Sequence, residues 1–405
     1  MFNKISLEPP FRIGIIGGGQ LGKMMTVAAK QMGFQVTILD PTPRCPAGQV
    51  ADTQIVAEFG DSESIKFLAE NSDVVTYEFE HIDCLTLMSL ESEGMVIYPT
   101  PRSLNIIQNK LLQKEALAMA EIPVPLFRKV FNKDELIQVG DELGYPLILK
   151  SIYGGYDGKG NWKVENQKEA EEMYEKLNSP NLMAEEWVNF DKEVSLIVAR
   201  GINGEIKTYP LAENEHRNHI LYRCMVPARV SPETYNKAKE VAEKVVSVFT
   251  GVGIFCVEMF LTDAEQILVN EVAPRPHNSG HYTIEACVTS QFEQHIRAIT
   301  GMPLGDTTLI NPAVMVNLLG EEDYYGPAVL TGVDKALSLS GLHLHFYGKV
   351  KTAPRRKMGH FTVVNPDINR AMEIAQKAEK YLKVISQEGG QTNVRKTCCG
   401  HNNGE

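Results

Sequence analysis

Apolar residues recur in two alternating rhythms along the N-terminal part of the chain. Runs of β-branched and aromatic residues predict strands over 11–16, 34–40, 73–79 and 95–98; segments of helical spacing predict helices over 21–32, 62–71 and 84–93. Strands alternating with helices imply parallel βαβ units, so residues 1–102 are expected to form a doubly wound, Rossmann-like parallel-sheet domain. A helix is expected over 103–120, entered after Pro101 and closed before Pro123. Beyond it the rhythm changes. Strands over 126–130, 145–152, 181–188, 193–200 and 205–211 lie close together with hairpin turns such as Asn203-Gly204, as in an antiparallel α+β domain, which is expected over 103–310. A small β-rich domain is expected over 311–390, with strands at 313–318, 342–347 and 360–364 and a helix over 368–382. Residues 391–405 read as a polar, mobile tail.

Length agrees with this division, since 405 residues at about 150 per domain allow two to three domains. The composition, 43% hydrophobic and 22% charged, is that of a globular protein rather than a disordered or fibrous one. No apolar run reaches the roughly 18 residues that span a bilayer, and the N-terminus lacks a hydrophobic signal core, so a cytoplasmic protein without a membrane partner is expected. With 51 acidic against 40 basic residues the net charge is −11, which opposes non-specific attraction to nucleic acid. An anionic ligand must therefore be drawn in locally. The seven cysteines form no CxxC pair and no zinc-spaced cluster, which implies reduced thiols and no structural zinc.

Candidate chemistry begins at Gly17-Gly18-Gly19-Gln20-Leu21-Gly22, which satisfies G-x-G-x-x-G between a strand and a helix, with Asp40 closing the next strand. Such a turn lets the backbone approach a phosphate at a helix N-terminus, and an NAD-dependent dehydrogenase is one reading; a tight strand-to-helix turn, or a site for some other phosphate, is another. The rest of the chain does not continue as a dehydrogenase. Lys150 ends a strand and is followed by Gly154-Gly-Tyr-Asp-Gly-Lys-Gly160, a loop whose N–H groups can close over phosphates, although no P-loop motif occurs. Glu258 lies within the apolar run 253–261, and Asn270 and Glu271 lie within 267–272, so the two runs are expected to pair as strands. Acids inside such strands are costly unless they are paired or hold a cation. Two carboxylates and a carboxamide beside a phosphate loop suit Mg²⁺. Arg275, His277, Asn278 and Ser279 follow at once, and arginine suits small oxyanions. Lys349, Lys351, Arg355, Arg356 and Lys357 form a third basic element, suited to a phosphate-bearing substrate.

These pieces resemble the ATP-grasp ligases and, within them, the N5-carboxyaminoimidazole ribonucleotide synthetases of purine biosynthesis. The motifs are Gly17-Gly-Gly-Gln-Leu-Gly-Lys-Met24, Thr76-Tyr-Glu-Phe-Glu80, the loop 154–160, Val269-Asn-Glu-Val-Ala-Pro-Arg-Pro-His-Asn-Ser-Gly-His281 and Arg356-Lys-Met-Gly-His360, in the family's order. The resemblance implies that ATP is held by Lys110, Lys150, Gly155, Tyr156, Asp157, Gly158, Lys159, Gly160 and Asn161. It places Glu185, Glu186, Trp187 and Val188 at the adenine and hinge and Glu193 on the ribose; His216, Asn270 and Glu271 complete the nucleotide site. It implies Mg²⁺ on Glu258 and Glu271, and bicarbonate on Arg275, His277 and Lys357. It places 5-aminoimidazole ribonucleotide among Gly19, Gln20, Leu21, Glu78, Tyr156, Arg275, Lys349, Arg355 and Arg356, in a homodimer. Lys110 stands where the family often has arginine, Asn161 replaces a common glutamine, and Ala353 stands where an arginine is frequent, with Lys351 or Arg355 near enough to compensate. His277 is expected to accept a proton. A formate-using purine transformylase, a dehydrogenase and a non-catalytic nucleotide sensor remain the alternatives.

Overall fold

The computed structural model describes residues 11–155, 160–179 and 181–387. Four parallel strands form the N-terminal sheet in the spatial order Thr53–Ile55, Gln35–Leu39, Arg12–Ile16, Val74–Tyr77. The order reverses between the last two, which opens a crevice at their carboxyl ends. Gly17 and Glu78 follow those two strand ends directly. The expected strand over 95–98 is reduced to a single bridge between Ile97 and Val75, because the chain then meets Pro99, which has no N–H to extend a ladder.

The expected helix over 103–120 is two helices, Pro101–Gln108 and Lys110–Met119. Asn109 between them is extended, and its side chain accepts a hydrogen bond from the Leu112 N–H at 3.0 Å, so it starts a new helix instead of continuing the old one. The break aims the Lys110 and Lys114 side chains towards the strands behind the cleft.

Three antiparallel sheets complete the fold: one of Lys351–Thr352, Gly326–Thr331 and Lys383–Ser386, and two larger ones that border the site. Of these two, the smaller has the order Phe127–Val130, Leu182–Glu186, Leu147–Ser151, Asn161–Val164 and is backed by the helices Lys133–Leu143 and Gln167–Leu177. The larger runs Ile267–Ala273, Gly253–Leu261, Lys192–Arg200, Ala212–Arg217, Ile220–Val226, Ala313–Leu319, Lys357–Val364, Leu342–Phe346. Arg223 pairs with Val316 in this register, so the expected boundary near 311 falls inside one continuous sheet. The chain joins the open edge of Ile220–Val226 because unpaired strand groups are costly to leave bare. The helix Pro232–Phe249 lays Ala238, Ala242, Val245, Val246 and Phe249 on this sheet against Leu196, Val198, Phe255 and Val257. That spacing is one face of a helix, and each large side chain so buried contributes about 1.5–3 kcal/mol. Neither this helix nor the hairpin of Ala212–Arg217 with Ile220–Val226 is among the elements predicted from the pattern. Among the described residues no helix is long and apolar enough to cross a membrane.

Candidate functional site

A cleft of about 1280 Å³ opens where the parallel sheet meets the two larger antiparallel sheets. The smaller of those two contributes Lys150 and Glu185. The large sheet contributes Glu193, Asn214, His216, Glu258, Asn270 and Glu271, the loop after it Arg275, His277 and Asn278, and the N-terminal domain Gln20, Leu21 and Glu78. Gly155, Asn161, Glu186, Trp187, Val188 and Lys357 also line it. Register shifts between Glu215 and His216 and opposite Asn270 break the strand alternation, so that neighbours such as Asn270 and Glu271 both reach the cleft.

Buried charges are paired. Lys110 Nζ donates to Glu271 Oε1 at 2.7 Å, and Lys150 Nζ donates to Glu185 Oε1 at 2.5 Å and to Asn270 Oδ1 at 3.4 Å. Glu258 and Glu271 oppose each other in the register of their two strands. Burial, with the Glu271 charge adding to it, pushes the Glu258 carboxyl up to about 7. Such a pair of carboxylates with a carboxamide beside it offers a divalent cation only oxygen donors. Among the described residues no group of three or more His, Cys, Asp or Glu side chains gathers as a metal site. The oxygen donors of Glu258, Glu271 and Asn270 fit a hard ion such as Mg²⁺.

His216 Nδ1 hydrogen-bonds the Glu193 carboxylate. Burial opposes its charge, yet Glu193 holds the imidazolium above its usual range. A histidine raised in the folded state adds stability that is present below the unfolded value of about 6.5 and is lost as pH rises through the folded value. The deficit of His216→Gln against wild type should accordingly be larger at pH 6 than at pH 9 in thermal melts. An equal deficit at both would show that the pair stays uncharged.

His277 lies in the wall of the cleft. Burial pulls it well below its usual range, so it is neutral, and its Nδ1 lies 3.3 Å from the Ser279 N–H, which donates to it. With Nδ1 accepting, the proton sits on Nε2, which stands 4.0 Å from Glu258 Oε1. In that tautomer Nε2 can donate to an anion; Nδ1 also lies 2.9 Å from the Ser279 hydroxyl. Arg275 Nε lies 2.9 Å from Glu80 Oε1, and its NH2 donates to Oε2 at 3.2 Å.

The glycine turn is already occupied. The Gly19 and Gly22 N–H groups donate to the Glu78 carboxylate, the latter at 2.6 Å, and Gly18 donates to Asp40 Oδ2 at 2.8 Å. A Cβ on Gly22 would stand 2.4 Å from the Gly17 carbonyl oxygen, so the third glycine serves close packing of the turn. The N–H groups a dinucleotide phosphate would need hold carboxylates instead, which removes the dehydrogenase reading. Lys349 approaches the same corner, its Nζ donating to the Lys357 carbonyl at 2.8 Å.

Not every expected residue meets in the cleft. Arg355 pairs with Glu322 at 2.8 Å and Arg356 donates to the Lys351 carbonyl at 2.8 Å; both bonds are exposed, and neither arginine is among the lining residues. Gly160 stands behind the wall, its carbonyl accepting from Ser151 N. Tyr156, Asp157, Gly158 and Lys159 lie outside the described residues. Sequence reasoning missed Lys114 and Asn214, together with Phe190 and Phe260, whose rings stack 4.8 Å apart beside the cleft. For Lys114 a signal existed, since it stands four residues after Lys110 on one face of a short helix. The two motif-ending histidines also meet: His281 and His360, both fully buried, have ring centroids 4.5 Å apart, which ties the Arg275 loop to the strand bearing Lys357.

Comparison with known proteins gives the class first. Residues 115–292 match the ATP-grasp domain, 11–108 the ribonucleotide synthetase preATP-grasp domain, and 313–374 the phosphoribosylaminoimidazole carboxylase C-terminal domain, in an ATP-grasp ligase. The N5-carboxyaminoimidazole ribonucleotide synthase of Bacillus subtilis strain 168 is 45% identical over 391 residues, which are 96% of this chain and 99% of the relative. The crystal structure of the Thermotoga maritima synthetase is 53% identical with a TM-score of 0.86, covering 93% of this chain and 100% of the other. That of the Aspergillus clavatus enzyme, in complex with ADP and 5-aminoimidazole ribonucleotide, is 36% identical with a TM-score of 0.84, covering 92% and 98%. The chain belongs to the N5-carboxyaminoimidazole ribonucleotide synthase family.

Proposed function

We propose that the chain uses ATP and bicarbonate to carboxylate the exocyclic amine of 5-aminoimidazole ribonucleotide, releasing ADP and phosphate, in purine biosynthesis. The observation that carries this reading is one cleft in which the Lys150, Glu258 and Glu271 cluster adjoins Arg275 and His277 on one side and the Glu78 turn on the other. The Aspergillus relative, crystallised with ADP and the same ribonucleotide, supports the choice of substrate.

Lys110 and Lys150, with Gly155, Gly160, Asn161 and the four loop residues between Gly155 and Gly160, take the ATP phosphates. Glu185, Glu186, Trp187 and Val188 border the adenine, and Glu193, His216 and Asn270 border the ribose and the remaining nucleotide edge. Glu258 and Glu271 would hold Mg²⁺, which when bound supplies positive charge to the phosphate oxygens. A bicarbonate oxygen attacks the γ-phosphorus, the bond to the β-phosphate oxygen breaks, and ADP and carboxyphosphate result. Arg275, Lys357 and the Nε2–H of His277 hold the bicarbonate oxygens in line. The amine nitrogen then forms its bond to the carboxyl carbon, directly or through released CO₂, phosphate leaves, and the nitrogen gives up a proton. Gly19, Gln20, Leu21, Glu78 and Lys349 hold the ribonucleotide, with Tyr156, Arg355 and Arg356 towards its phosphate. The resemblance extends the proposal to a cytoplasmic homodimer, and the five described cysteines, all free and buried, accord with a reducing compartment.

ADP and phosphate release with ATP and bicarbonate should rise when 5-aminoimidazole ribonucleotide is added. No stimulation would overturn the assignment, and stimulation by formate in place of bicarbonate would favour a transformylase.

A further inference from the structure

A buried lysine that the proposed reaction does not use stands behind the phosphate site. Lys114 is 3% exposed, and its Nζ donates to the Val269 carbonyl at 3.0 Å. The same Nζ lies 3.0 Å from Glu185 Oε2, while Lys150 Nζ takes Glu185 Oε1 at 2.5 Å. One carboxylate, itself 3% exposed on its side chain, is thus held between two ammonium groups. The neighbouring pair is Lys110 with Glu271, so within 4 Å three lysines share two carboxylates, with Glu258 across the strand pair from Glu271.

A buried pair formed only for stability needs one partner for each charge; a second lysine adds desolvation cost without need. Burial does act against Lys114, pulling its ammonium down to about 8. The two lysines differ in access. Lys150 lines the cleft, whereas Lys114 does not and is fixed from behind by the Val269 carbonyl.

We propose that Lys114 is a positioning residue that keeps Glu185 neutralised when Lys150 leaves it for a phosphate of ATP. Without Lys114, the move would strand a bare carboxylate in the interior, and Lys150 would stay on Glu185. This inference rests on the reading of Lys150 as an ATP ligand, and the experiment separates the two.

The dissociation constants of a non-hydrolysable ATP analogue and of adenosine are measured by calorimetry on the full chain, and the adenosine constant divided by the analogue constant isolates what the phosphates contribute. Lys150→Met should lower that ratio at least tenfold, about 1.4 kcal/mol; an unchanged ratio overturns the ATP-ligand reading itself. Lys114→Met should weaken the ATP analogue about tenfold and raise KM for ATP, with adenosine within about twofold of wild type. The double variant Lys114→Met/Glu185→Gln, in which Lys150 leaves no bare charge behind, should return the ratio to within about threefold of wild type. It also carries the test if the single variant does not fold. If Lys150→Met lowers the ratio while Lys114→Met leaves it unchanged, or weakens adenosine and ATP alike, Lys114 is structural only. A double variant more than about tenfold below wild type in the ratio overturns the inference as well.

Discussion

Glu271→Ala is expected to fold like the wild type and to lose turnover by about a thousandfold or more, close to 4 kcal/mol of transition-state stabilisation. The side chain is 41% exposed at the cleft but its partner Lys110 only 13%, so losing the pair should lower stability by about 1–2 kcal/mol, too little to unfold the chain. Its proposed chemical role is larger, because it opposes Glu258 across two paired strands and would with it hold Mg²⁺. Thermal melts would report the fold, and ADP release at saturating substrates the turnover. Activity within about tenfold of wild type would refute the role given to Glu271.

Arg275→Ala should act twice. The guanidinium is 17% exposed and bound to Glu80 through two nitrogens, so its removal strands a largely buried carboxylate and lowers stability by about 2 kcal/mol. It also removes the fork proposed for bicarbonate, which should reduce kcat/KM for bicarbonate by about a hundred- to a thousandfold. Arg275→Ala/Glu80→Ala separates the effects: it should recover most of the stability in a denaturant titration and none of the turnover. Recovery of both would show that Arg275 serves only to hold Glu80.

Much of this site was legible before any coordinates. Glu258 and Glu271 stood out because acids inside apolar strands demand partners, and Lys150 because it ends a strand before a glycine loop. The parallel N-terminal sheet followed from alternating rhythms, and three of its four strands are where the pattern put them; the fourth expected, over 95–98, gives way to Thr53–Ile55. The helix Pro232–Phe249 was less legible, since its inward face uses alanines and valines that do not stand out in a mixed charged stretch. The tautomer of His277 was not legible, because it depends on the Ser279 N–H and hydroxyl beside Nδ1, which is a matter of local geometry.

The glycine turn shows where local pattern ends. G-x-G-x-x-G between strand and helix determines a tight turn with N–H groups pointing outward, and no more. Whether those groups meet a phosphate depends on the strand beside them, and here Val74–Tyr77 delivers Glu78 into the turn from 56 residues away. By itself the sequence determined the alternating rhythm of the N-terminal domain, a set of candidate site residues and, through its resemblance, the family. Only the tertiary structure decided that Glu78 fills the turn, that one sheet crosses the expected boundary near 311, and that Glu185 is shared by Lys114 and Lys150. Those facts are pairings between distant segments, made when buried charges and open strand edges find partners, and no local spacing encodes them.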